Sequence, residues 1–196
     1  PAALGLARWF LASGGAPAGR GRMAPHLARG AELPPAYPTA PAAPGADQPP
    51  APGRHPEGFL VAFAFGQVTA ETLAALAGHG PVRLTPWRMV LIEGAAEAPA
   101  IPGLISDPAD PLLNVTACTG APGCPQARGE TRAVARRLAP LVPPGRHLHI
   151  SGCAKGCAHP GAAPATLVAS GDGRYELILN DTAAGPPART DLMPGA

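Results

Sequence analysis

The chain has 196 residues, a net charge of +2, 28 prolines, 25 glycines and only 4% aromatic residues. So small a charge does not mark a nucleic-acid binder, no apolar run approaches the length of a membrane span, and no basic-then-apolar leader opens the chain. Its length allows one or two domains. With four cysteines and no secretory segment, the expected setting is a reducing, cytoplasmic one.

Residues 1–13 read as an Ala/Leu-rich helix carrying Leu4, Leu6, Trp9, Phe10 and Leu11 and stopped by Gly14-Gly15. The chain opens at Pro1 directly into that helix, which suggests a fragment whose first helix is left from a preceding domain. Residues 14–57 are a Pro/Gly-rich linker, since Pro34, Pro35, Pro38, Pro41, Pro44, Pro49, Pro50, Pro52 and Pro56 preclude a regular helix or central strand. His26–Ala31 can form a short helical turn there.

Order returns at Gly58. Phe59–Phe65 alternates larger and smaller residues with period two, as a strand does. Thr69 then caps a helix with Glu71 in its first turn, Leu73, Leu76 and Ala77 on its apolar stripe, and Gly78 at its end. Val82–Thr85 and Arg88–Ile92 read as strands bent at Pro86. Strand–helix–strand–strand over 58–105 is half of a ferredoxin-like α+β unit. A short helix is expected near Ile101–Leu104.

Residues 106–182 hold the chemistry. Leu112–Thr116 is a candidate strand leading into Cys118. Pro125 suits a first helical position, so a helix is expected over Gln126–Ala139, with Cys124 at its N-terminus, where a thiolate is favoured. Arg128, Arg132, Arg136 and Arg137 read first as a solvated helix face. His147–Ser151 is a strand with His147, His149 and Ser151 on one face, partly exposed at the sheet surface, the histidines being candidate iron ligands or proton carriers. Thr166–Ala169 and Arg174–Leu179 flank Gly171-Asp172-Gly173 as a hairpin. Residues 183–196 read as a flexible tail.

Cys118 and Cys124 form a C-x5-C pair, Cys153 and Cys157 a C-x3-C pair. Disulfides, structural zinc and an iron–sulfur cluster all use paired thiols. The disulfide reading lacks an oxidising context, and C-x5-C is longer than a zinc knuckle. Gly120, Gly123, Gly152 and Gly156 let backbone N–H groups turn toward sulfur, which favours a cluster. Both pairs follow predicted strands, and such strand ends gather ligands on one sheet edge.

With those pairs so placed, the chain resembles the C-terminal half of the sulfite/nitrite reductase superfamily. Arg83-Leu84-Thr85-Pro86-Trp87-Arg88 is similar to that superfamily's R-x-T-x-x-Q/R segment, whose arginines meet tetrapyrrole carboxylates. The wording ACTGAPGCPQA followed by SGCAKGCAHP looks most like the precorrin-3B synthases, a cobalamin-pathway branch. The likeness covers about Gly58–Asn180. It departs from the reductases at Lys155, where they carry Asn, and at His159, where they often carry Arg. Lys155 is the sole lysine in the chain, which reads either as a compact ammonium near the cluster or substrate or as a solvated loop lysine.

The resemblance implies a ferredoxin-like half-domain followed by the α/β cluster-binding domain of the nitrite/sulfite reductase fold. It implies a 4Fe-4S cluster on Cys118, Cys124, Cys153 and Cys157, with siroheme or a mononuclear iron as a second centre. The implied activity is a monooxygenase reaction: O2-dependent hydroxylation and γ-lactone formation on precorrin-3A, with NADH as a candidate electron donor. Arg83 and Arg88 would bind substrate carboxylates, with Arg128 and Arg146 as weaker candidates; Lys155 and His159 are the candidate catalytic residues. Neither nucleic acid nor membrane is an expected partner. Two other functions suit the same cysteines, a siroheme-dependent sulfite or nitrite reductase and a non-catalytic electron-transfer module.

Overall fold

The computed structural model describes residues 2–37 and 49–194. The chain divides into two units, Pro1–Gln48 and Pro49–Ala196. Among the described residues no helix is long and apolar enough to cross a membrane.

In the first unit α1 spans Ala2–Ala12, and α2, Met23–Ala28, lies within the stretch read as linker. His26 of α2 is buried. It sits between the rings of Trp9 and Phe10 at centroid distances of 5.6 and 5.4 Å, with Ser13 Oγ 2.8 Å from its Nε2. A six-residue helix has no stability of its own; these contacts hold it. The linker prolines Pro38, Pro41 and Pro44 lie outside the described residues.

The second unit is a mixed α/β structure with two five-stranded sheets. The first contains β1 (Gly53–His55), β2 (Gly58–Phe63), β3 (Val82–Leu84), β4 (Met89–Glu93) and β5 (Leu104–Ile105). Its order is β1-β2-β4-β3, with β5 also paired to β2 and every pair antiparallel. Helix α3, Ala70–Ala77, starts where the sequence places it: the Thr72 N–H donates to Thr69 Oγ1 at 3.1 Å. Its Leu76 packs with Val61, Phe63, Val90 and Ile92 on one face of the sheet, while Leu60, Ala62, Met89 and Leu91 pack on the other. β1 belongs to the stretch read as linker, and β5 replaces the helix expected near Ile101–Leu104. Gly103, at φ +86°, turns the chain, and Leu104 and Ile105 then pair with Phe63 and Ala62.

The second sheet runs β10-β9-β8-β7-β6. Its strands are β6 (Val115–Ala117), β7 (Leu148–Ser151), β8 (Ala163–Gly171), β9 (Arg174–Asp181) and β10 (Arg189–Leu192). β6, β7 and β8 are parallel, and β9 and β10 continue antiparallel. The tail expectation is therefore corrected: Arg189 and Leu192 pair with Leu177 and Tyr175. One sheet face packs Val115, Ala117, Ile150 and Leu167 against Val134 and Ala135 of α4 (Arg132–Leu138). The opposite face carries the row Thr116, His149, Thr166, Ile178, in register across four strands.

Candidate cysteine-loop site

Parallel pairing sets the geometry of the two cysteine loops. Ala117 of β6 lies opposite Ile150 of β7, so Cys118 leaves its strand beside Ser151, and Cys153 follows two residues on. Both loops thus emerge at the carboxyl ends of adjacent parallel strands, where open sheets gather ligands. They touch through backbone. The Cys118 N–H donates to Ile150 O at 3.3 Å, the Gly152 N–H donates to Cys118 Sγ at 3.2 Å, and the Arg128 N–H donates to Gly152 O at 2.8 Å.

All four cysteines are free thiols; Cys118, Cys124 and Cys153 are half-buried and Cys157 is exposed. Among the described residues no group of three His, Cys, Asp or Glu side chains is arranged to hold a metal ion. The donor set nevertheless fits a cluster in its chemistry: four unpaired thiols on two touching loops, one already receiving a backbone N–H. A cube also binds thiolates at separated corners rather than around one ion.

The first loop corrects the expectation for Cys124. Its helix begins at Arg132, not Gln126, so Cys124 does not sit at a helix N-terminus. The intervening donors are committed elsewhere: the Ala127 N–H donates to Cys124 O at 3.0 Å, and that of Arg128 reaches Gly152 O. Gly120 adopts φ +68°, and a Cβ there would lie 2.5 Å from Thr131 Oγ1. Thr131, at the N-cap position of α4, donates its hydroxyl to Cys118 O at 2.6 Å instead of capping the helix. Its hydroxyl just ahead of a helical run was the available signal.

Lys155, Arg128 and Cys153 line one cavity of about 450 Å³, with Glu176 also at its wall. Arg88 and Trp87 line another of about 400 Å³, together with Phe65 and Thr116, one residue from the end of β6. The Arg88 backbone is left-handed (φ +61°), as is that of Phe65 (φ +59°), conformations costly for non-glycine residues and common around ligands. The turn is closed by bonds from Thr85 N–H and Oγ1 to Met89 O at 3.1 and 2.9 Å. Arg83 is not on that cavity. It is half-exposed on β3, paired with Glu57 at 2.5 Å and Glu93 at 2.7 Å; these carboxylates raise the pKa of its guanidinium, Glu93 foremost. Arg146 lines a separate, mainly apolar cavity of about 480 Å³ with His147 and Leu148.

Arg128, Arg136 and Arg137 are exposed, as expected of a solvated face, and the helix arginines have specific surroundings as well. Arg136 lies 5.3 Å over the Phe65 ring, Arg137 donates to Pro194 O at 3.3 Å, and Arg132 Nε is buried among groups that offer it no acceptor.

The expected partial exposure of His149 is also corrected. It is fully buried, and neither ring nitrogen has a hydrogen-bond partner. His159 folds back so that its ring lies 5.1 Å from that of His147 and 5.7 Å from that of His149. Burial, then the neighbouring imidazoles, push His149 down to about 4. His147 is lowered for the same reasons, and its Nε2 lies 3.0 Å from Thr116 Oγ1. Beside this cluster, in the loop carrying Cys157, Gly156 has φ +61°, and a Cβ there would lie 3.7 Å from His149 Cε1. Strand alternation fixed the face but not what covered it.

No family model matches the chain. Over 148 residues it is 34% identical to a curated relative from Sinorhizobium sp. named precorrin-3B synthase, a match covering 66% of this chain and 32% of the relative. The chain thus resembles precorrin-3B synthase, as its motifs imply, and spans about a third of that relative's length. Among solved structures it is similar to one titled "Structure of Mycobacterium tuberculosis NirA protein", with a TM-score of 0.44 and 23% identity over 73% of this chain and 35% of that one.

Proposed function

We propose that this chain is the cluster-bearing part of a precorrin-3B synthase-type oxidoreductase of cobalamin biosynthesis. The reaction is the O2-dependent conversion of precorrin-3A to precorrin-3B, hydroxylating a ring-bridging carbon and closing a γ-lactone through an acetate side chain. The observation that carries this reading is the contact between the two cysteine loops, the Gly152 N–H on Cys118 Sγ at 3.2 Å. The similarity to the curated relative supports it.

In this reading the chain contains the reductase-type half-fold, a ferredoxin-like half-domain followed by the α/β cluster-binding domain. Cys118, Cys124, Cys153 and Cys157 hold a 4Fe-4S cluster. When bound, that cluster supplies reducing equivalents drawn from a donor such as NADH. Trp87 offers a flat apolar surface to the macrocycle, and Arg88 pairs with its carboxylates in the fork geometry guanidinium favours. Arg83 joins by exchanging Glu57 or Glu93 for a substrate carboxylate. Lys155 supplies fixed positive charge beside Cys153, and His159 carries protons at the edge of the histidine cluster.

Anaerobic reconstitution tests the core of this reading. The full chain should take up iron and sulfide in equal amounts and develop the broad visible absorption of a cubane, and single Cys→Ser variants at the four positions should each lose most of it. Uptake of zinc in place of iron and sulfide, or indifference to the four substitutions, would refute it.

A further inference from the structure

We propose that Arg20, Arg22 and Arg29 form a binding site for a small polyanion, a compound bearing two or more carboxylate or phosphate groups. The site lies in the first unit and goes beyond the proposed function.

The three arginines line a basin of about 530 Å³ with Pro17 and Pro25, a size suited to a small ligand. The described residues of this unit contain four arginines, Arg8, Arg20, Arg22 and Arg29, against one carboxylate, Glu32. Among the described residues the ion pairs are made by Arg83 and Arg174, not by these arginines. Arg20, Arg22 and Arg29 are exposed; like charges gathered around one concavity repel, and with no carboxylate paired to them among the described residues the basin favours an anion from outside.

The backbone beneath them is set in advance. The Arg20 N–H donates to Pro17 O at 3.2 Å and the Arg29 N–H to Pro25 O at 3.2 Å. Gly21 runs so close to the end of α1 that a Cβ would lie 1.7 Å from Gly15 O. Ser13 and His26, 2.8 Å apart, tie α1 to α2. Two prolines in the wall reduce the ordering cost that binding would otherwise incur. Guanidinium forks select planar or tetrahedral oxyanions over chloride, because two parallel N–H groups meet two oxygens.

Isothermal titration of the full chain with citrate and, separately, with inorganic pyrophosphate at fixed ionic strength tests the site. A single saturating site for either probe is expected; which probe binds distinguishes a carboxylate ligand from a phosphate one. The double variant Arg22→Ala/Arg29→Ala should bind at least about tenfold more weakly, the scale of a lost charge-assisted contact. Arg8→Ala, which removes a charge outside the basin, should bind like the parent. Should the alanine variant fail to fold, Arg22→Lys/Arg29→Lys keeps the charge and removes the forks, and a loss of several-fold supports the site. Unsaturable binding of both probes, equal weakening by Arg8→Ala, or undiminished binding by the lysine variant would overturn it.

Discussion

The phenol of Tyr175 donates to the carbonyl of Glu130 at 2.5 Å. A residue of β9 thereby holds the segment between Cys124 and α4. Tyr175 is buried, which raises its pKa and keeps it a donor, and it packs against Gly129, where a Cβ would lie 3.0 Å from that of Ala169. The cysteine loop is thus anchored from the far side of β8, through a contact 45 residues distant in sequence.

Tyr175→Phe keeps the packing and removes the bond. We expect a loss of about 1 kcal/mol in urea unfolding, the usual net worth of such a bond, with faster alkylation of Cys124 in the folded state. An unchanged midpoint and unchanged thiol reactivity would show that the loop is held elsewhere.

Gly152→Ala tests the contact between the loops. Its Cβ would lie 2.7 Å from that of Ala127 and 3.4 Å from the Gly120 Cα, so the loops must separate. Overpacking of this kind costs about 1–3 kcal/mol, and iron uptake on reconstitution should fall with it. Gly161→Ala meets nothing nearer than His159 Nε2 at 4.0 Å and serves as the tolerant control.

His149 makes stability fall in acid. Its imidazole titrates near 4 when folded and near 6.5 when unfolded, so between those values the unfolded chain binds a proton that the folded chain refuses. The stabilisation is fully present above about pH 6.5 and declines as pH drops toward 4. The shift corresponds to about 3 kcal/mol, and to about 2 once solvent screening and the adjoining His147 and His159 are allowed for. Because neither ring nitrogen has a partner, His149→Leu sacrifices no hydrogen bond. Urea unfolding of the apo chain at pH 5 and pH 8 should show a flatter pH dependence in the variant; an equal slope would place the effect on other groups.

Arg88 and Arg83 should separate in a binding assay. With uroporphyrin as a stable polycarboxylate probe, Arg88→Ala should weaken binding by roughly tenfold or more, as expected for a charge-assisted bond. Arg83→Ala should weaken it less, since Glu57 and Glu93 already occupy that guanidinium. Quenching of Trp87 fluorescence reads both. Equal binding by the parent and Arg88→Ala would remove Arg88 from the site.

What the sequence revealed divides along the distance over which each feature is decided. Thr69 and its helix, the alternation of β2, and the β8–β9 hairpin are local, and residue pattern suffices for them. β1 and β10 are edge strands of three and four residues; their partners, not their own composition, make them strands. Pro125 suggested a helix start that long-range bonds to Gly152 and within the loop override. The four cysteines were visible at once, but the residues that position them, Thr131, Gly129 and Tyr175, act across the fold and carry no motif.

Among the described residues β3 ends the first sheet, so one side of its backbone lacks a strand neighbour there, and Leu84 on it is 77% exposed. Left bare, such an edge would recruit a second chain. Three residues of length, Pro86 just beyond, and the charges of Glu57, Arg83 and Glu93 work against that. Replacing these charges with neutral side chains should therefore show first as concentration-dependent self-association, well before any loss of folding.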